Sequence, residues 1–327
     1  MERQQLLDQL SKELATIGGA NPLLDFEASS FGQIDLARAH PGGLAQLTGS
    51  RSSTMSNLVR DGVAQARALS AARRIRNKAR SIERSFSMAA MFVAAGAVLT
   101  QDDKTLPILL WRAHLIPKGD DYELRVDETP MLNPALSKLL VLARPDFRES
   151  DLMAVAGGQG ELIPISVLSL VTEVLGDSAK ETQKLLVLGN FVPDLVSVNQ
   201  LGVRDSDLLR LITDGGEQPE PQSVQPVAVE NADSSQLKVL EKALSGQSFA
   251  VWTLPGAGYL QSVINLLANY ALVGKRALLI APRQQTLDEV GERLNQCNFG
   301  GLAIREGNVW ADSVAAISRN EKAGEHR

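Results

Sequence analysis

The sequence predicts an α/β protein of two domains, in which a mixed α+β N-terminal domain with a β-hairpin precedes a parallel α/β domain. With 327 residues the chain exceeds one ordinary core and suits two domains. A stretch rich in Pro, Gln, Glu and Gly at residues 214–232 has no periodicity and indicates an interdomain linker. After it, apolar strands alternate with amphipathic helices. We therefore assign residues 1–213 and 233–327 to the two domains.

Composition limits the classes of function that are open to the chain. Hydrophobic residues make up 44% and charged residues 22%, as in ordinary globular proteins. The net charge of −5 excludes attraction of the whole chain to nucleic acid, so any such contact must come from a local basic patch. One cysteine and three widely separated histidines exclude a disulfide framework and a Cys-rich zinc site.

Two further features predict a cytoplasmic protein without a membrane partner. No apolar run approaches the roughly 20 residues that a membrane-spanning helix needs. The N-terminal segment, MERQQLLDQLSKEL, is charged and amphipathic and differs from a signal peptide.

The N-terminal domain shows both helical and β patterns. A long helical region is predicted from about Ser56 to Leu99, first basic and polar and then rich in Ala and Met. Apolar residues 106–116, a turn at 118–121 and the alternating residues 122–126 predict an antiparallel hairpin. Asn133 and Pro134 have the residue types that cap and begin a helix.

The C-terminal domain reads as strand, helix, strand, helix, strand. The three strands are predicted at residues 248–252, 276–281 and 301–304, and the two helices at residues 260–273 and 286–297. Alternation of this kind implies a parallel sheet with right-handed crossovers.

The segment from Thr253 to Leu260 lies between the first of these strands and the first helix, which is the place of a Walker A phosphate-binding loop. Glycines in such a loop let backbone N–H groups surround phosphate, while a lysine neutralises it and a hydroxyl holds magnesium. The turn residues are present, but tyrosine and leucine stand at the lysine and hydroxyl positions. The residues concerned are Pro255, Gly256, Ala257, Gly258, Tyr259 and Leu260.

Taken alone, this loop is also compatible with a plain tight turn. Tyr259 either closes a vacant phosphate pocket or contacts a different ligand, and both interpretations stay open at this point.

The surrounding sequence resembles the beginning of a superfamily 1 helicase motor. The segment Asp233–Gln236 precedes the loop at the expected place, and Gln236 matches the glutamine that contacts adenine in that family. Segment 265–269, NLLAN, fits the helix that follows the loop. Earlier in the chain, the motif NPLLDF at residues 21–26 is similar to a signature in a domain of unknown function that precedes the motor of large bacterial helicases. Segments 107–111, 132–136 and 188–191 extend this second resemblance.

The resemblance implies a partial RecA-like P-loop fold, ATP and Mg²⁺ as cofactors, and nucleic acid as partner, with DNA favoured. A complete family member would be a hydrolase that couples ATP hydrolysis to unwinding or translocation. After Ile304 the sequence shows no Walker B strand, arginine finger or second RecA-like lobe. We therefore expect the N-terminal portion of a helicase-like protein, paired with a downstream motor domain or a partner protein.

The replaced loop residues predict that the chain is not an ATPase by itself and that ATP binds very weakly or not at all. The competing hypothesis is a non-catalytic scaffold, derived from a helicase, that binds nucleic acid or protein.

The most basic run of the chain lies between Arg73 and Arg84. Arg73, Arg76 and Arg80 are spaced by three and four positions, which places them within about 60° of one another on a helix. We predict that they contact nucleic-acid phosphates. No aromatic residue is interleaved to stack on bases, so a plain solvated helix face is the alternative.

Overall fold

The computed structural model describes residues 3–29, 31–156, 161–200, 224–305 and 309–324. Residues 201–213 of the predicted N-terminal domain and 214–223 of the predicted linker lie outside this part of the chain. The chain divides into two compact units. Unit 1 comprises Met1–Glu83 and Met88–Arg204, and unit 2 comprises Arg84–Ser87 and Asp205–Arg327.

Unit 1 combines helices with an antiparallel sheet, so the α+β composition predicted for it is confirmed. Its helices are α1 (Arg3–Thr16), α2 (Pro41–Ser50), α3 (Met55–Leu58), α4 (Gly62–Phe86), α5 (Pro134–Ala143), α6 (Glu149–Ala156), α7 (Ile165–Leu175) and α8 (Pro193–Asn199). Its strands are β1 (Gln33–Asp35), β2 (Ser52–Thr54), β3 (Met91–Thr100), β4 (Thr105–Lys118), β5 (Asp121–Val126), β6 (Met131–Leu132) and β7 (Ala179–Asn190). The sheet order is β1-β7-β3-β4-β5-β2, and β6 pairs with β4.

Strand β3 corrects the prediction of one long helix from Ser56 to Leu99. Only the first part is helical, as α4, and the chain then enters β3 at Met91. Buried on both faces between β4 and β7, β3 carries an unbroken apolar run that has no strand alternation. Gly96 lies at a register shift against β7 with φ of +68°, and a Cβ there would come within 2.0 Å of the Ile163 side chain.

The predicted hairpin is confirmed as β4 and β5, which pair antiparallel from Ala113 opposite Val126 to Lys118 opposite Asp121. Along the outer half of β4, buried and exposed residues alternate, with Trp111, Ala113 and Leu115 buried. Residues 112, 114 and 116 consequently lie on the opposite face of the strand.

Asn133 connects three parts of unit 1, in addition to capping α5 as predicted. Its side-chain oxygen accepts from Ala135 N at 3.0 Å. Its Nδ2 donates to Leu23 O and to Pro107 O, each at 2.9 Å. Since Asn133 is fully buried, these bonds fix the NPLLDF segment against β4 without competition from water.

Unit 2 contains helices α9 (Ser234–Leu244), α10 (Tyr259–Leu272), α11 (Gln284–Gln296) and α12 (Val309–Gly324). A small apolar cluster of Ile264, Val290 and Leu294 lies between α10 and α11. Both helices predicted for this region are therefore present, with boundaries close to those expected.

The parallel sheet predicted for unit 2 is not formed in the part of the chain that the structure describes. The three segments predicted as strands, residues 248–252, 276–281 and 301–304, pair with no other strand. Leu279 packs towards the helix cluster, whereas Leu278 and Ile280 are 87% and 83% exposed. Parallel strands need cover on both faces, and here only the helix side is covered.

Two buried asparagines of α10 hold the residues that precede α9. Asn265 Oδ1 accepts from Val229 N at 2.8 Å and Glu230 N at 2.9 Å, and its Nδ2 donates to Glu230 O at 3.1 Å. One helical turn later, Asn269 accepts from Val227 N and donates to Val227 O. The described end of the predicted linker is thus held against α10 by hydrogen bonds from two asparagine side chains.

Among the described residues, no helix is both long and apolar enough to cross a lipid bilayer.

Candidate functional site

Helix α4 packs its small apolar residues against the core, and its arginines therefore lie on the other sides of the helix. Ala68, Ala71, Ala72, Ile75 and Ala79 are all buried. Arg73 and Arg80 are exposed and Arg76 is half-buried, as expected for the opposite side of an amphipathic helix.

A cleft of about 260 Å³ separates α4 from the outward face of β4. Arg76 and Arg80 line it from the helix, and Arg112 and His114 line it from the strand. Arg73 is not among its lining residues, so the structure brings two of the three predicted arginines together.

Arg76 is fixed in the cleft by its Nε, which donates to the backbone oxygen of Leu115 at 3.1 Å. Glu83 is the one carboxylate among the lining residues, and it lies 3.5 Å from Arg112 Nη2. His114 Nε2 lies 3.3 Å from Asp127 Oδ1, with both side chains about half exposed. Three guanidinium groups against one carboxylate give the cleft a positive charge on a chain that is acidic overall.

Arg112 and His114 were missed by the sequence analysis. The signal for them was the alternation of buried and exposed residues along β4, which places both on the outward face. Their position beside α4 depends on the packing of helix against sheet. The absence of aromatic side chains from the lining of this cleft suits contact with phosphates rather than stacking on bases.

In unit 2, the loop before α10 lies against Gln236 of α9. Gln236 Nε2 donates to Ala257 O at 3.1 Å and Gly258 O at 3.3 Å. Its Oε1 accepts from Asp233 N at 3.0 Å, which completes a capping box at the start of α9. Asp233 accepts in return from the side chain of Ser235 and the backbone of Gln236, and these bonds hold the pKa of its carboxyl below the usual value.

Gln236, the residue that the resemblance matches to an adenine contact, lies beside this loop, and both polar ends of its amide have partners within the chain. Its side chain therefore connects α9 to the loop by hydrogen bonds. Gly258 caps α10 with φ of +72°, and a Cβ there would lie 2.2 Å from Gln261 Oε1. Pro255, Gly256 and Ala257 are exposed in front of it.

The two residues that the resemblance aligns with the lysine and the hydroxyl of a Walker A loop have different environments. Tyr259 begins α10 and is 49% exposed. Leu260 packs against the cluster of Ile264, Val290 and Leu294. The side chain at the position that the resemblance assigns to a magnesium ligand therefore packs against the core of unit 2. The described residues also contain no group of three or more His, Cys, Asp or Glu that could hold a metal ion.

Asp312 lies in the first turn of α12 and is held by Arg305. Arg305 N and Nε donate to Asp312 Oδ2 at 2.8 and 2.9 Å, and Nη2 donates to Oδ1 at 2.7 Å. Arg305 also contacts Asp288 at 2.9 Å. These bonds lower the pKa of the Asp312 carboxyl and raise that of the guanidinium, as in a structural ion pair.

Comparisons with protein-family models, with curated proteins and with solved structures found no match to this chain. The resemblance to superfamily 1 helicases therefore stays a prediction that rests on the sequence motifs.

Proposed function

We propose that this chain is a nucleic-acid-binding module, with the organisation of the N-terminal portion of a superfamily 1 helicase-like protein, and that it binds the phosphate backbone in the cleft between α4 and β4. The observation that carries the proposal is the collection of Arg76, Arg80 and Arg112 around one cleft, with Glu83 as its only carboxylate. Arginine donates paired N–H groups to phosphate and stays charged at every physiological pH.

The chemistry of the cleft favours binding without sequence preference. Guanidinium contacts to phosphate position a strand but do not read its bases. Each such contact also releases a counterion, so affinity falls with rising salt. DNA is the partner that the helicase resemblance favours.

Under the same proposal, the loop at residues 253–260 is a Walker A-like loop that lacks the lysine and hydroxyl side chains needed to bind phosphate and magnesium. Gln236 is occupied by the loop backbone, and Leu260 is part of the core. ATP and Mg²⁺ would then act in a motor domain or partner protein rather than at this loop. Leu279 packs against the helices, whereas Leu278 and Ile280 are exposed. In this proposal, such a partner covers the exposed side of this segment and completes a RecA-like parallel sheet.

Fluorescence anisotropy with a labelled single-stranded oligonucleotide over a salt series tests the binding site. Arg80→Gln removes an exposed guanidinium from the cleft. We expect it to weaken binding and to reduce the slope of log K against log salt by about 0.7 for single strands. Arg67→Gln is the matched control, since Arg67 is exposed on the same helix but does not line the cleft.

Glu83→Gln should have the opposite effect and tighten binding, because it removes the carboxylate of the cleft. Arg73→Gln distinguishes the cleft from the whole basic helix face. Equal losses in Arg80→Gln and Arg67→Gln would contradict the cleft as the binding site.

Titration with a fluorescent ATP analogue and magnesium tests the loop. We expect no saturable binding by the unaltered chain. The double change Tyr259→Lys and Leu260→Ser should restore binding where the backbone of the loop is still competent. Micromolar, magnesium-dependent binding by the unaltered chain would refute the proposal for the loop.

A protein-binding scaffold is the second candidate function, and one specific feature favours it. Trp252, Leu278 and Ile280 of unit 2 are each more than four-fifths exposed. Leu278 and Ile280 lie two positions apart in one segment, and a contiguous exposed apolar patch is typical of an interaction surface. In this case the salt series would show no specific effect of Arg80→Gln.

A further inference from the structure

Arg51 lies at the junction of α2 and β2, where its backbone is held in a fixed, left-handed conformation with φ of +55°. Val126 N of β5 donates to its carbonyl oxygen at 2.9 Å. The guanidinium carbon lies 4.5 Å from the ring centroid of Trp111, a fully buried residue of β4. Backbone pairing and stacking together fix the position of this guanidinium.

The guanidinium of Arg51 has no hydrogen-bond partner among the described residues. Its Nη1 is shielded from solvent and unpaired. Such groups normally gain a partner, because a buried donor without one loses the hydrogen bonds that it made to water. The side chain also borders a cavity of about 840 Å³, whose other walls come from its neighbours in sequence, from β4 and β5, and from Asp127 and Glu128 after β5.

The two other basic residues of this cavity each contact a carboxylate, whereas Arg51 contacts none among the described residues. Arg125 Nε donates to Glu123 Oε1 at 2.9 Å, and this bond holds the pKa of the glutamate below its usual value. His114 is paired with Asp127. Glu128 lies exposed on the wall and has no ion-pair partner among the described residues.

We propose that this cavity is an oxyanion site in which the stacked guanidinium of Arg51 binds a phosphate group. A guanidinium fixed by stacking loses little freedom when it binds, and its planar donors match the spacing of phosphate oxygens. The phosphate comes either from a small molecule or from a nucleic-acid strand. The second source is open because His114 borders both this cavity and the basic cleft. The site itself does not depend on the proposed function of that cleft.

Inorganic phosphate is the probe, titrated at constant ionic strength against the same concentrations of chloride. The indole N–H of Trp111 reports binding in a two-dimensional NMR spectrum, since it donates to Leu162 O in the core directly beneath Arg51. We expect a saturable shift of this signal with phosphate and none with chloride.

Arg51→Gln should weaken phosphate binding about tenfold or more, the loss expected for a charge-assisted contact. Arg60→Gln, which removes an exposed arginine outside the cavity, should leave it unchanged. Glu128→Gln should tighten binding by up to about fivefold, because it removes a repelling charge from the wall. This second variant tests the site even where Arg51→Gln disturbs folding.

A labelled oligonucleotide separates the two sources of phosphate. When Arg51→Gln weakens the binding of the oligonucleotide as well as the binding of inorganic phosphate, the site lies on the path of a nucleic-acid strand. When only inorganic phosphate is affected, the ligand is a small phosphate compound. An unshifted Trp111 signal, or equal phosphate affinity in Arg51→Gln and the unaltered chain, would overturn the proposal.

Discussion

Replacing Asn265 with alanine tests whether side-chain hydrogen bonds hold the segment before α9 to unit 2. Asn265 is fully buried and makes three hydrogen bonds, to Val229 N, Glu230 N and Glu230 O. The alanine variant removes the side-chain partner of all three backbone groups.

The expected loss follows from these three bonds. Each contributes about 1 kcal/mol net, so together they amount to about 3 kcal/mol. Alanine forms helices better than asparagine and returns up to about 0.7 kcal/mol. The free energy of unfolding of unit 2 should therefore fall by about 2–3 kcal/mol. Because Val229 and Glu230 are only half-buried, water replaces part of what is lost, and the lower end of this range is favoured.

Urea unfolding followed by circular dichroism measures the loss, and hydrogen exchange locates it. The amide protons of Val229 and Glu230 should exchange much faster in Asn265→Ala, while that of Val227 stays protected by Asn269. Asn77→Ala is the control, because Asn77 is exposed on α4 and its replacement should raise stability by no more than about 0.7 kcal/mol. A loss below about 0.5 kcal/mol, with unchanged exchange at both amides, would refute the reasoning.

Two further predictions concern unit 2. Because Arg305 lowers the pKa of Asp312, the stability that this pair adds is fully present above the ordinary aspartate pKa of about 3.9 and is lost as the pH falls through the lower folded-state value. The urea midpoint of the unaltered chain should drop in that acid range, and Asp312→Asn should show a smaller drop there; identical acid profiles would argue against the pair. Gly258→Ala should destabilise unit 2 more than Gly256→Ala. Both glycines have positive φ, so each substitution should cost about 1 kcal/mol or more of backbone strain. Only Gly258→Ala would also place a Cβ against Gln261. Equal urea midpoints for the two variants would contradict the close contact.

Local sequence patterns were sufficient where the structure depends on neighbouring residues. The β4–β5 hairpin, the Asn133 cap and the helix after Gly258 follow from alternation, turn residues and capping types within a few positions. The basic face of α4 likewise follows from spacing along one helix. Helical periodicity failed at β3, because its apolar residues are buried on both sides and leave no polar positions to mark a strand.

The composition of the candidate sites depended on contacts between distant parts of the chain. Arg112 joins Arg76 and Arg80 only because β4 lies beside α4. Arg51 meets Trp111 across 60 positions of sequence, and Asn265 binds residues that precede it by 35 and 36 positions. The periodicity of the sequence does not predict these contacts, because each contact depends on which helices and strands pack together.

The sequence by itself predicted the β4–β5 hairpin, helices α10 and α11 and the basic residues of α4. Those properties are set by backbone preference and by side-chain chemistry at single positions. Only the tertiary structure decided that Gln236 braces the loop, that Leu260 belongs to the core and that arginines from a helix and a strand share one cleft. Burial and long-range packing fix these properties, because they determine which polar groups lose water and which partner replaces it.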